Sequence, residues 1–115
     1  MELKMKIGNR VVEVEWENRT VVSAIMNKLS SKLRITMSRS GNYQIGNMGF
    51  SLPCNDRAFI AQPGDICIKS GGKLLIYMEE DDVSCTKIGR IKSASESMIK
   101  NMLTPGSLTV ELYEG

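Results

Sequence analysis

A mostly β, antiparallel domain with two short helices is the fold class that the amino-acid sequence predicts. Apolar and polar residues alternate in about eight short runs, separated by Gly, Asn, Ser and Pro punctuation. Only two segments switch to helical spacing, and both are short. Such a chain packs as a barrel or a sandwich whose ends or open faces the helices cover.

The elements follow in order. Leu3, Met5 and Ile7 alternate with Glu2, Lys4 and Lys6, and Val12, Val14 and Trp16 alternate with Glu13, Glu15 and Glu17. Gly8-Asn9 between them predicts a hairpin, because Gly first in a two-residue turn supplies the positive φ of type II′. Thr20 is the expected cap of a helix carrying Val22, Ile25, Met26 and Leu29, which Ser30-Ser31 ends. Val21 and Val22 are weak helix formers, so packing must hold it. Residues 33–38 form a third strand, Ser40-Gly41-Asn42 a turn, and residues 43–50 a weaker strand interrupted by Gly46 and Gly49.

Residues 52–63 lack a clean period and contain two prolines, so they read as a long loop with a short strand near 58–60. Pro63-Gly64 turns the chain into Ile66 and Ile68 on one face. Gly71-Gly72 leads into residues 74–78, an apolar run suited to a strand covered on both faces. Glu79, Glu80, Asp81 and Asp82 make a solvated tip, and residues 86–91 another strand. Ser93-Ala94-Ser95-Glu96 fits a capping box with Ser93 as the cap. Met98, Ile99, Met102 and Leu103 share one helical face, Thr104-Pro105-Gly106 stops that helix, and Leu108, Val110 and Leu112 end the pattern as a strand.

With 115 residues and 42% hydrophobic content, one domain over 1–115 is expected. The net charge of +2 is too small to name a partner. Lys28, Lys32, Arg34 and Arg39 form a basic stretch without an interleaved aromatic, which argues against nucleic acid. No apolar run approaches the ~18 residues of a membrane helix, and the start shows no h-region, so neither membrane nor export is expected. Cys54, Cys67 and Cys85 are odd in number with no CxxC pair; free thiols and a cytoplasmic location follow. The eight methionines sit mostly at periodic apolar positions and read as core filling.

Three landmarks carry a resemblance: Ser51-Leu52-Pro53-Cys54-Asn55-Asp56-Arg57 after Phe50, then Pro63-Gly64-Asp65-Ile66, then Thr86-Lys87-Ile88-Gly89-Arg90-Ile91. In that order they resemble the small bacterial and archaeal proteins of the cyclophilin-like fold family, over roughly residues 3–112. The resemblance implies a closed eight-stranded antiparallel barrel with two short helices. It implies little about activity, because the family is largely uncharacterised; cyclophilins isomerise prolyl peptides, but their F-H-R-x-x-x-x-F and Q-G-G-D stretches are both missing here. Arg57 with Phe59 sets an arginine near an aromatic at a different spacing, so no catalytic residue carries over.

The candidate ligand-binding residues are Asn55, Asp56, Arg57 and Arg90. Asn and Asp build turns by binding their own backbone, and Arg offers a planar fork to a carboxylate or carbonyl. The loop either stabilises itself, with Arg57 on the surface, or presents Arg57 to a ligand. Strict alternation puts Arg90 on the face of Thr86 and Ile88. Either Gly89 is a bulge that resets the register, or Arg90 reaches a rim or pocket beside Ile88. The site expectation is that Arg57 and Arg90 converge at one concave rim, with Asp56 as the acid between the two guanidiniums. No histidine is present, so zinc ligation and a histidine-activated nucleophile are disfavoured, and no cofactor is expected. The resulting expectation is a non-catalytic barrel module that holds a small polar ligand or a peptide. Its rivals are an isomerase with a rearranged site and a subunit that binds another protein.

Overall fold

The computed structural model describes residues 2–92 and 94–115. Strands β1 (Leu3–Ile7) and β2 (Arg10–Trp16) form the expected hairpin. Ile7 pairs with Arg10 across Gly8-Asn9, and Gly8 takes φ +59° while Asn9 keeps an ordinary φ, as type II′ demands. Helix α1 (Arg19–Lys28) follows. Its cap is Asn18 and not Thr20: Asn18 holds an extended backbone, and its Oδ1 accepts the Val21 N–H at 3.2 Å. Thr20 already lies inside the first turn, where its side chain is too late to serve the orphan donors.

Strands β3 (Lys32–Ser40) and β4 (Tyr43–Asn47) pair across Gly41-Asn42. Strands β5 (Arg57–Ala61), β6 (Asp65–Lys69), β7 (Lys73–Tyr77) and β8 (Asp81–Lys92), helix α2 (Glu96–Leu103) and strand β9 (Ser107–Glu114) complete the order. The N-cap of α2 is Ser95, whose Oγ accepts the Met98 N–H at 3.2 Å, so Glu96 opens the helix instead of closing a capping box. The expected cap, Ser93, lies outside the described residues.

The sheet is antiparallel throughout and runs β2-β1-β9-β3-β4-β7-β6-β8, with β8 pairing back onto β2 to make a ring of eight strands. Strand β5 is a ninth. Among the described residues it pairs with β8 alone, along Asp81 to Cys85, so a two-stranded ribbon extends from the ring. The acidic run is therefore half turn and half strand: Asp81 and Asp82 pair with Ala61 and Ile60. Glu79 instead meets Lys100 of α2 at 2.7 Å.

One core collects the inward residues of the ring, among them Met5, Ile35, Ile68, Ile76 and Val110. Val21 and Ile25 of α1 and Ile99 and Leu103 of α2 join it, so tertiary burial supports two helices that propensity would not. Met5, Met37, Met48 and Met78 are buried there as gap fillers. A second cluster sits on the outer side of the sheet. Cys67, Leu75 and Tyr77 lie beneath Ala61 and Cys85 of the ribbon, with Phe59 and Val83 at its margin. That double cover explains the unbroken apolar run of β7, buried from Leu74 to Tyr77. Among the described residues, no helix is long and apolar enough to cross a membrane.

Candidate functional site

The loop between β4 and β5 is anchored before it reaches its polar triplet. The Leu52 N–H donates to the Gly71 carbonyl at 2.6 Å, and the Met48 N–H to the Gly72 carbonyl at 2.9 Å. Gly71, at φ +72°, is required there because a Cβ would stand 2.9 Å from the Leu52 carbonyl oxygen. The chain then fastens to β8. The Asn55 N–H donates to Thr86 Oγ1 at 2.8 Å, and Thr86 Oγ1 donates in turn to Asp56 Oδ1 at 2.8 Å. The other Asp56 oxygen accepts the N–H of Ser70 at 3.1 Å, a residue held at φ +55° in the β6–β7 turn. Asp56 is thus a staple between three segments and not the acid that separates two arginines.

This staple sets the start of β5. Strand β2 leaves β8 where Trp16 pairs with Gly89, and β5 joins it where Arg57 pairs with Cys85. The stretch of β8 between them borders a groove of ~490 Å³ lined by Asn18, Asn55, Arg57, Phe59, Cys85 and Lys87. A shallower cavity of ~250 Å³, shared through Asn18 and Asn55, extends it towards Thr20, Pro53 and Cys54. Phe59 gives the groove an apolar wall, and the amides and Arg57 give it donors.

The two cations of the groove differ. Lys87 Nζ is engaged by Glu17 at 3.2 Å and by the buried Asp65 at 3.4 Å. Asp65 also accepts the Gln62 N–H at 2.8 Å, which fixes the Pro63-Gly64 turn. The exposed Arg57 side chain makes no ion pair or hydrogen bond among the described residues. Its five N–H donors are therefore without an acceptor among the described residues.

Arg90 lies elsewhere. Ile66 pairs with Gly89 while Cys67 pairs with Lys87, so Ile88 is the extra residue of a bulge. Thr86 and Ile88 are buried; beyond the bulge Ile91 is buried and Arg90 is exposed. Of the two explanations the sequence leaves open for Arg90, the structure has the bulge. Arg90 pairs with Glu15 and Asp65, five positions along β8 from the Arg57 partner Cys85. At ~3.3 Å per residue that is roughly 16 Å. Asn55, Asp56 and Arg57 are brought together; Arg90 is not among them.

Sequence reasoning missed Lys87 and Asn18 as groove residues. Lys87 stood inside a recognised landmark, and alternation already turns it away from Thr86 and Ile88, but its place at the groove depends on β2 and β5 leaving that stretch of β8 between them. Asn18 stood beside a helix start and was passed over for Thr20. Among the described residues, no group of three or more His, Cys, Asp or Glu side chains is placed to hold a metal ion.

The family model described as the cyclophilin-like family matches residues 5–113, nearly the whole chain. No curated protein and no solved structure matches it.

Proposed function

Since the chain belongs to the cyclophilin-like family, we propose that it is a non-catalytic binding module whose eight-strand ring acts as a closed barrel and whose lateral groove holds a small polar ligand or a peptide. The observation that carries this reading is the Arg57 guanidinium, unpaired among the described residues, beside Phe59 in the ~490 Å³ groove. A charge-assisted bond from Arg57 suits a carboxylate or a peptide carbonyl, and the Asn55 and Asn18 amides lie within the same lining. Phe59 offers area to an apolar neighbour of that group. The side chains of the larger core fill the space within the ring, which favours its outside as the binding surface. The free thiols fit a reducing, cytoplasmic setting.

The test is an amide-shift titration of the labelled protein with short peptides that end in a free carboxylate, their amidated counterparts, and small dicarboxylates. The expected result is saturable shifts at Asn18, Asn55, Arg57, Phe59 and Lys87 with the carboxylates, weaker with the amides. Shifts confined to other surfaces, or none across the panel, would overturn it. A prolyl-peptide isomerisation assay on the same sample separates the enzymatic rival: a catalytic efficiency near ~10⁷ M⁻¹s⁻¹ would make the domain an enzyme.

A further inference from the structure

Two of the three cysteines are neighbours, which their positions in the sequence do not reveal. Cys67 on β6 and Cys85 on β8 are both buried, at 0% and 1% exposure, in the cluster beneath the ribbon. Cys67 stands opposite Lys87, so Cys85, two residues earlier on β8, lies diagonally across from it on the same face. Tyr77 is buried in the same cluster, so two thiols and a phenol hydroxyl share one apolar pocket. Cys85 also borders the groove, whereas Cys54 is exposed and outside this cluster.

From this arrangement we propose that Cys85 and Cys67 form a peroxide-reactive dithiol site at the floor of the groove, with Cys85 as the attacking sulfur and Cys67 as the resolving one. The neighbouring Cys67 thiol holds the Cys85 thiol below its ordinary range, opposed by burial and aided by the Tyr77 hydroxyl. The Cys85 neighbour, and then burial, push Cys67 well above the thiol range. Of the two, Cys85, which borders the groove, is the sulfur that ionises more readily, and Cys67, wholly buried behind it, keeps its proton, the order that two-step oxidation needs.

In the first step the Cys85 sulfur attacks a hydroperoxide oxygen. An S–O bond forms, the O–O bond breaks, and the leaving hydroxide or alkoxide takes up a proton to become water or an alcohol. In the second step the Cys67 sulfur attacks the Cys85 sulfenic acid. The S–S bond forms, the S–O bond breaks, and water leaves with the Cys67 proton. The peroxide gains two electrons and the two thiols lose them. Hydrogen peroxide is close to water in size, and β5 is held along one edge, so a modest opening of the ribbon admits it. This inference does not depend on what the groove binds.

The experiment treats the full-length, folded protein with hydrogen peroxide, alkylates the remaining thiols after denaturation, and maps the peptides by mass spectrometry. The expected result is a fall from three alkylated cysteines to one, with Cys67 and Cys85 linked and lighter by two hydrogens. The Cys54→Ser variant should form the same link, and Cys67→Ser should leave a Cys85 sulfenic acid that dimedone traps. Oxidation at Cys54 alone, or a Cys67–Cys85 link that appears only when peroxide is added after denaturation, overturns the proposal. If Cys67→Ser fails to fold, the mapping in the wild type and in Cys54→Ser still decides.

Discussion

Thr86 Oγ1 donates a 2.8 Å hydrogen bond to Asp56 Oδ1 while accepting another from the Asn55 backbone, so one threonine on β8 aligns the whole polar triplet. Removing either partner leaves donors without acceptors. Asp56→Ala is expected to cost about 1–3 kcal/mol, since it strands both the Thr86 hydroxyl and the Ser70 N–H. Thr86→Val should cost a similar amount. In a double-mutant cycle the two should couple by about 1 kcal/mol in urea unfolding; strict additivity would mean that the bond is not formed.

Ligand recognition should separate the two arginines. Arg57→Ala is expected to stay folded and to weaken carboxylate binding about tenfold or more, the effect of one charged hydrogen bond. Arg90→Ala should leave binding unchanged, because Arg90 lies five positions along β8 from Cys85 and is not among the groove's lining residues. Equal losses in both variants would place the ligand on another surface.

The β2–β8 junction of the ring should tolerate no side chain at Gly89. A Cβ there would stand 2.7 Å from the Glu15 carbonyl oxygen and 3.1 Å from Trp16 Cε3, and a backbone atom cannot step aside. Gly89→Ala is expected to cost about 1–3 kcal/mol by overpacking. Gly106→Ala, where a Cβ meets nothing within 4 Å, is the control and should be close to neutral. Matching denaturation midpoints for the two variants would contradict the close approach of β2 to β8.

The β1–β2 ladder stops at Met5 and Val12, and beyond it the Trp16 indole N–H reaches the Leu3 carbonyl at 2.7 Å. That bond ties the two strand ends together. Trp16→Phe keeps most of the ring contact and deletes the donor, so a loss of about 0.5–1.5 kcal/mol is expected by circular dichroism. Faster amide exchange should follow at Leu3 and Lys4. Unchanged stability and exchange would show that packing alone holds the hairpin there.

Much of the fold was legible because local chemistry speaks for it. The Gly8-Asn9 turn, the two-sided burial of β7 and the apolar face of α2 each follow from a few adjacent residues. The helix caps were misplaced by two residues, since several Ser, Thr and Asn side chains compete near each start and only the backbone shows which one precedes the first turn. Of the candidate site, Asn55, Asp56 and Arg57 were found as a polar break in the alternation, but their roles were not. Asp56 bonds to Thr86 thirty residues away, a partner that no local pattern announces.

The sequence alone determined which segments extend, which coil into helices and where the chain turns, because those choices rest on periods of two and 3.6 residues and on Gly, Pro and Asn at turns. Only the tertiary structure decided the direction of Arg90, the tethering of Asp56, the separation of β5 from the ring and the contact of Cys67 with Cys85. Each of these depends on register between strands distant in sequence. One extra residue, Ile88, turns every later side chain of β8 to the opposite face, and an alternating pattern read along one strand cannot show where its partner makes it skip.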